Sequence, residues 1–82
     1  MFYVYILKSI KTGRYYIGST NNIERRLEEH NSGKTKSLRG YLPFELVYKE
    51  FYNDRVSAVR RERYIKAQKS RVFIENLMNV GS

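Results

Sequence analysis

The chain has 82 residues, 41% hydrophobic and 15% aromatic, with 16 Lys or Arg against 8 Asp or Glu and a net charge of +8. That bounds it to one small domain, residues 1–82, with enough apolar bulk in eight Tyr and four Phe to fold alone and no room for a second core. Cysteine is absent and His30 is the lone histidine, which excludes a disulfide framework, a thiolate zinc site, a cysteine nucleophile and a histidine metal cluster.

Phe2 to Leu7 is predicted as a strand, with Phe2, Val4 and Ile6 on one face and Tyr3, Tyr5 and Leu7 on the other. Lys11-Thr12-Gly13 supplies a turn, and Arg14 to Gly18 closes a hairpin as the second strand. Gly18-Ser19-Thr20-Asn21-Asn22 breaks that pattern. Asn21 is expected to cap a helix, with Glu24 completing a capping box. The helix runs from about Asn22 to His30, turns Ile23, Leu27 and His30 inward, and stops at Ser32-Gly33. Lys34 to Leu42 is polar and basic, an expected irregular loop. Phe44 to Phe51 reads as a third strand, and Asn53 or Asp54 caps a helix reaching about Lys69. Ser70 interrupts before a last short helix, Arg71 to Met78. The fold class is α+β, a small three-stranded antiparallel sheet flanked by helices in the order β-β-α-β-α-α.

The charge excess favours a polyanionic partner, nucleic acid before an anionic membrane. No apolar run reaches bilayer-spanning length, and Met1 to Tyr5 lacks the basic start of a leader peptide, so a soluble cytoplasmic protein is expected. On the long helix Val56, Val59 and Ile65 form an apolar stripe with Ala58 beside it. Glu62 falls on or next to that stripe. It is the single acid among seven bases between residues 55 and 71. A carboxylate there needs a partner: either a salt bridge to Arg61 or Lys66, or a hard divalent cation whose shell is completed by phosphate and water.

On the first helix Arg26 and His30 stand one turn apart. The arginine is either a stem covering apolar surface or a fork aimed at a phosphoryl oxygen. Tyr3, Tyr5, Tyr15 and Tyr16 either pack, stack on bases, or act as phenols whose pKa nearby cations lower. The basic loop and arc supply phosphate contacts through Arg25, Lys34, Lys36, Arg39, Arg60, Arg61 and Lys66.

Taken together, these residues resemble the GIY-YIG nuclease family. The first motif stands as Tyr3-Val4-Tyr5 and the second as Tyr16-Ile17-Gly18, with ten residues between Tyr5 and Tyr16 and with Tyr3 in place of the first glycine. Arg26 follows Gly18 by eight residues and His30 follows Arg26 by four. Glu62 matches the family's metal-binding glutamate, and Asn76 or Asn79 its late asparagine. The chain looks most like the small stand-alone bacterial members, which are related to the N-terminal domain of an excision-repair nuclease.

The resemblance implies hydrolysis of phosphodiester bonds, in DNA more than RNA, with one Mg²⁺ or Mn²⁺ ion. Glu62 would hold the ion and Arg26 would stabilise charge on the phosphate. Tyr5 would help activate water, with Tyr16 and His30 assisting. Repair, recombination and nucleic-acid turnover all use such chemistry, and a protein partner is one expected source of specificity. The competing expectation is a binding module that kept the fold without efficient turnover, its tyrosines stacking on bases and Glu62 an ordinary salt-bridge partner.

Overall fold

A computed structural model describes residues 1–34 and 36–80. Its elements run β1 (Phe2–Ser9), β2 (Tyr15–Thr20), α1 (Ile23–Asn31), a 3-10 segment (Lys36–Tyr41), β3 (Phe44–Tyr52), α2 (Arg55–Gln68) and α3 (Arg71–Val80). The expected β-β-α-β-α-α order is therefore present. Three local expectations change. The stretch from Lys36 to Tyr41 is a 3-10 helix and not an irregular loop, tied down where Arg39 Nε donates to the Gly33 carbonyl. Thr35 of the expected loop lies outside the described residues.

Second, β2 runs on through Ser19 to Thr20, so α1 starts one residue later than expected. Its cap is Asn22 and not Asn21: Asn22 is extended at φ −148°, and its side-chain oxygen accepts from the Arg25 N–H at 3.0 Å. Arg25 thereby takes the position a capping-box glutamate would need. Third, the apolar stripe of α2 is narrower than the one expected. Val56 is 60% exposed, and the helix buries Ala58 and Ile65 instead. Asp54 caps α2 by accepting from the Ser57 N–H at 2.8 Å, and Lys69 leaves the helix in a left-handed conformation at φ 46°.

The sheet order is β2-β1-β3, antiparallel throughout. The central β1 is therefore paired along both edges, and it is also covered on both faces. Val4 and Ile6 pack with Ala58, Ile65 and Ile74 under α2 and α3, whereas Tyr5 and Leu7 pack with Phe44, Ile23 and Leu27 under α1. Fully burying such a side chain contributes about 1.5–3 kcal/mol, so β1 is the main source of cohesion. At the hairpin, Gly13 takes φ +78°, a left-handed turn position that suits a residue without Cβ. Across β1 and β3 the register jumps from Ile6 opposite Tyr48 to Leu7 opposite Leu46. Val47 is the extra residue of a bulge. Val47 and Tyr48 consequently both join the core under α2 and α3.

The bulge has a polar consequence. Tyr48, Glu50 and Tyr52 form a cluster facing α2, where both tyrosine hydroxyls donate to the Glu50 carboxylate. Arg61 closes it with two nitrogens on the two Glu50 oxygens, at 3.0 and 3.1 Å. Burial raises the Glu50 pKa, but the hydrogen bonds from Arg61, Tyr48 and Tyr52 outweigh it, and the net direction is down. A polar clamp between β3 and α2 results. Among the described residues, no helix is long and apolar enough to cross a membrane.

Candidate active site

Tyr5 on β1 stands directly opposite Gly18 on β2. The absence of a Cβ at Gly18 is what makes room for the phenol: a methyl there would meet Tyr5 Cζ at 2.6 Å. So the ring lies across the edge strand beneath α1, 2% exposed. Its hydroxyl sits 3.4 Å from His30 Nε2. Tyr16, on the same face of β2, packs edge-on against His30 with ring centroids 4.7 Å apart. Phe44 backs both rings, at 6.0 Å from His30 and 6.4 Å from Tyr16.

The electrostatics of this cluster are set first by burial. Burial pushes the Tyr5 phenol up to about 12, helped by Tyr16 and Glu62 and opposed by the nearby Arg26 guanidinium. Of the alternatives open to the tyrosines, the phenol with a pKa lowered by cations does not hold for Tyr5. Desolvation outweighs them, and Tyr5 keeps its proton at neutral pH. His30 is driven down, first by burial and then by Arg26, with Glu29 opposing. It is therefore neutral near pH 7. Arg26 itself is about half exposed and reaches Glu29 at 3.4 Å, a loose surface pair that a stronger anion can displace.

Glu62 points from α2 toward the end of β2. Ser19 Oγ donates to Oε1 at 2.6 Å, and Lys66 Nζ donates to Oε2 at 2.6 Å. Burial alone would raise this carboxyl, but the Lys66 and Ser19 hydrogen bonds prevail and hold it below its ordinary value. The salt bridge to Lys66 is one of the two partners expected. Arg61 is taken by Glu50.

Ser19 is the residue that sequence reasoning missed. The signal was its place two residues beyond Ile17, on the α2 side of a strand that continues past Gly18. Among the described residues no three His, Asp or Glu side chains converge. Glu62 is the carboxylate that α2 presents to Ser19 and Lys66. Its two oxygens keep lone pairs beyond the bonds to Ser19 and Lys66, and an ammonium already sits on one of them. A hard oxygen donor of this kind fits a single Mg²⁺ or Mn²⁺ ion that draws its other ligands from water and phosphate.

The remaining named residues divide by exposure. Arg25, Lys34, Lys36, Arg39, Arg60 and Lys66 are exposed. Arg61 is not among them, because its guanidinium is held in the Glu50 clamp. Asn76 and Asn79 lie exposed on α3.

The chain is similar to proteins of one family along nearly its whole length. The model of the GIY-YIG catalytic domain matches residues 1–78. A UPF0213 protein of Bacillus cereus is 47% identical over 70 residues, which span 84% of this chain and 72% of that one. A UPF0213 protein of Clostridium perfringens is 49% identical, over 80% of this chain and 71% of that one. The solution NMR structure of a UPF0213 protein from Bacillus halodurans shares 39% identity, with a TM-score of 0.60 over 98% of this chain and 85% of that one.

Proposed function

The chain belongs to the GIY-YIG catalytic-domain family, a nuclease family, and from that premise we propose that it is a divalent-metal-dependent endonuclease acting on DNA. Target choice is by structure or only weakly by sequence. One observation carries the reading. Around the Tyr5 phenol of β1 the fold gathers Tyr16, His30, the Arg26 guanidinium and the Glu62 charge from three further elements, β2, α1 and α2. A phosphodiester transition state accumulates negative charge that fixed cations and donors stabilise in place.

Arg26 is the group that leaves its surface pair to bind the phosphate, because a bidentate phosphate contact outcompetes an exposed carboxylate. Tyr5 is a protonated donor that orients, and the half-buried Tyr16 is the phenol nearer the water. Neutral His30 accepts or passes a proton between them. Glu62 would hold a Mg²⁺ or Mn²⁺ ion, which supplies Lewis-acid stabilisation of a phosphoryl oxygen. The exposed cations Arg25, Lys34, Lys36, Arg39, Arg60 and Lys66 provide salt-sensitive phosphate contacts. The proposed setting is the cytoplasm, where such substrates are met during DNA repair or turnover.

A second reading is favoured by the Lys66 contact. With both oxygens of Glu62 engaged, the residue is also a satisfied structural acid, as a binding module acting with a partner protein would have. Incubation with labelled single-stranded, duplex and branched DNA, plus RNA, in Mn²⁺, Mg²⁺ or EDTA separates the two. Metal-dependent cutting that vanishes in Glu62→Ala and Arg26→Ala, with binding retained, supports the nuclease. Tight binding without cutting in either metal leaves the binding module.

A further inference from the structure

We propose that the cavity lined by Arg14, Tyr15, Tyr16, Tyr41 and Phe44 is a binding subsite for one unpaired nucleobase beside the cleaved phosphate. This rests on the nuclease reading above and names the substrate class it selects. The cavity measures about 160 Å³. Pockets for larger organic ligands run roughly 300–1,000 Å³, so this one takes a single planar ring system and little more.

Its lining is aromatic on several sides, with one cation at the mouth. Arg14 is exposed, donates to the Tyr41 hydroxyl at 3.0 Å and stacks over that ring at 5.4 Å. Aromatic walls bind every base through its π-face, and an arginine beside them binds the adjoining backbone phosphate.

The cavity is also fixed in place and joined to the site. Ser9 Oγ donates to the Tyr41 carbonyl, and the Ile10 N–H donates to the Pro43 carbonyl at 2.9 Å, so the segment carrying Tyr41 is pinned to the end of β1. Tyr16 and Phe44 are shared walls, since the same two rings back His30. A base seated here places its own phosphate beside the Tyr16 and His30 cluster. A base inside a duplex has both faces stacked and cannot enter without being extruded. The subsite therefore selects unpaired nucleotides over fully paired ones.

Binding in EDTA tests this without any turnover. Fluorescence anisotropy would compare single-stranded DNA, single-stranded RNA and a blunt-ended DNA duplex on wild type, Tyr41→Leu and Tyr41→Phe. Expected is a loss of about tenfold for single strands with Tyr41→Leu, near-full retention with Tyr41→Phe, and little change on the duplex. A loss confined to DNA or to RNA, or shared by both, supports the subsite and identifies the backbone it serves. Equal losses on single strand and duplex, or no loss at all, overturn it. Should Tyr41→Leu fail to fold, amide shifts of the wild type on adding a dinucleotide decide: changes at Arg14, Tyr41 and Phe44 support the subsite, and changes confined to the other basic residues overturn it. An absence of cleavage in the metal assay would sink the nuclease reading alone and leave this result legible.

Discussion

The Tyr5 phenol occupies the space in which a side chain at Gly18 would stand. The two residues pair across β1 and β2, so the glycine of the second motif and the tyrosine of the first are a single steric unit. The motif glycine is thus explained by its neighbour's ring and not by backbone conformation. Gly18→Ala should lower stability by about 1–3 kcal/mol, the usual cost of overpacking, and reduce cleavage through displacement of Tyr5. Tyr5→Leu in the same chain should recover part of the stability and none of the activity. A double-mutant cycle by urea unfolding checks the coupling. Additive losses would contradict it.

The clamp of Glu50 on Arg61 distinguishes a structural cation from a phosphate-binding one. Its side chains are 16% and 29% exposed. Arg61→Met should cost about 1–3 kcal/mol by leaving the Glu50 charge short of partners, yet hardly change the salt dependence of DNA binding. Arg60→Ala should do the reverse, lowering the slope of log K against log salt by roughly one while leaving the melting temperature near wild type. The same behaviour from both would place Arg61 back among the phosphate contacts.

Arg26 separates activity from stability. Its pair with Glu29 is exposed on both sides, so Arg26→Ala should change the unfolding free energy by less than about 1 kcal/mol. Cleavage should nevertheless fall on the order of a hundredfold or more, the cost of removing one group that stabilises transition-state charge. Single-turnover rates beside a denaturant titration test the contrast.

Alkali should loosen the fold through Tyr5 and Tyr48. Both phenols are raised from 10.0 to about 12, chiefly by burial, with a contribution from Glu50 at Tyr48. Between those values the unfolded chain gives up protons that the folded chain retains, so stability falls as pH rises from 10. For Tyr5 alone the loss approaches roughly 3 kcal/mol above pH 12. Phenolate absorbance should show late-titrating tyrosines, one fewer in Tyr5→Phe.

Acid should act in the same sense through other groups. Glu50 and Glu62 lie below their ordinary 4.5, so the stability they contribute is present above that pH and is lost as pH falls through their folded values. His30 lies below 6.5 because the folded protein resists charging it. Below 6.5 the unfolded chain binds a proton first, which again favours unfolding. Thermal melts from pH 7 to 3 should therefore decline in two stages, and the earlier stage should be absent in His30→Gln.

Much of the fold was legible because it is written in local periodicity. The alternation over Phe2 to Leu7 assigned both faces of β1 correctly, and the spacing of Ile23, Leu27 and His30 gave the inner face of α1. Glu62 was recognisable as an acid beside a buried stripe from helical spacing alone. What changed involved partners distant in the chain. Asn22 became the cap because β2 runs to Thr20, which also brought Ser19 onto Glu62. Val56 is exposed because the sheet meets α2 along Ala58 and Ile65.

By itself, then, the sequence determined the order of elements and the two faces of the central strand, and it named candidate residues for phosphate chemistry. Only the tertiary structure decided which of those residues are exposed and which are held by partners. The Val47 bulge turns Glu50 toward α2, where it takes Arg61 out of the basic surface. Burial beneath α1 overrides the cations near Tyr5 and keeps its proton in place. Both outcomes depend on desolvation and on contacts made across many residues, and neither leaves a period in the chain that a local pattern could reveal.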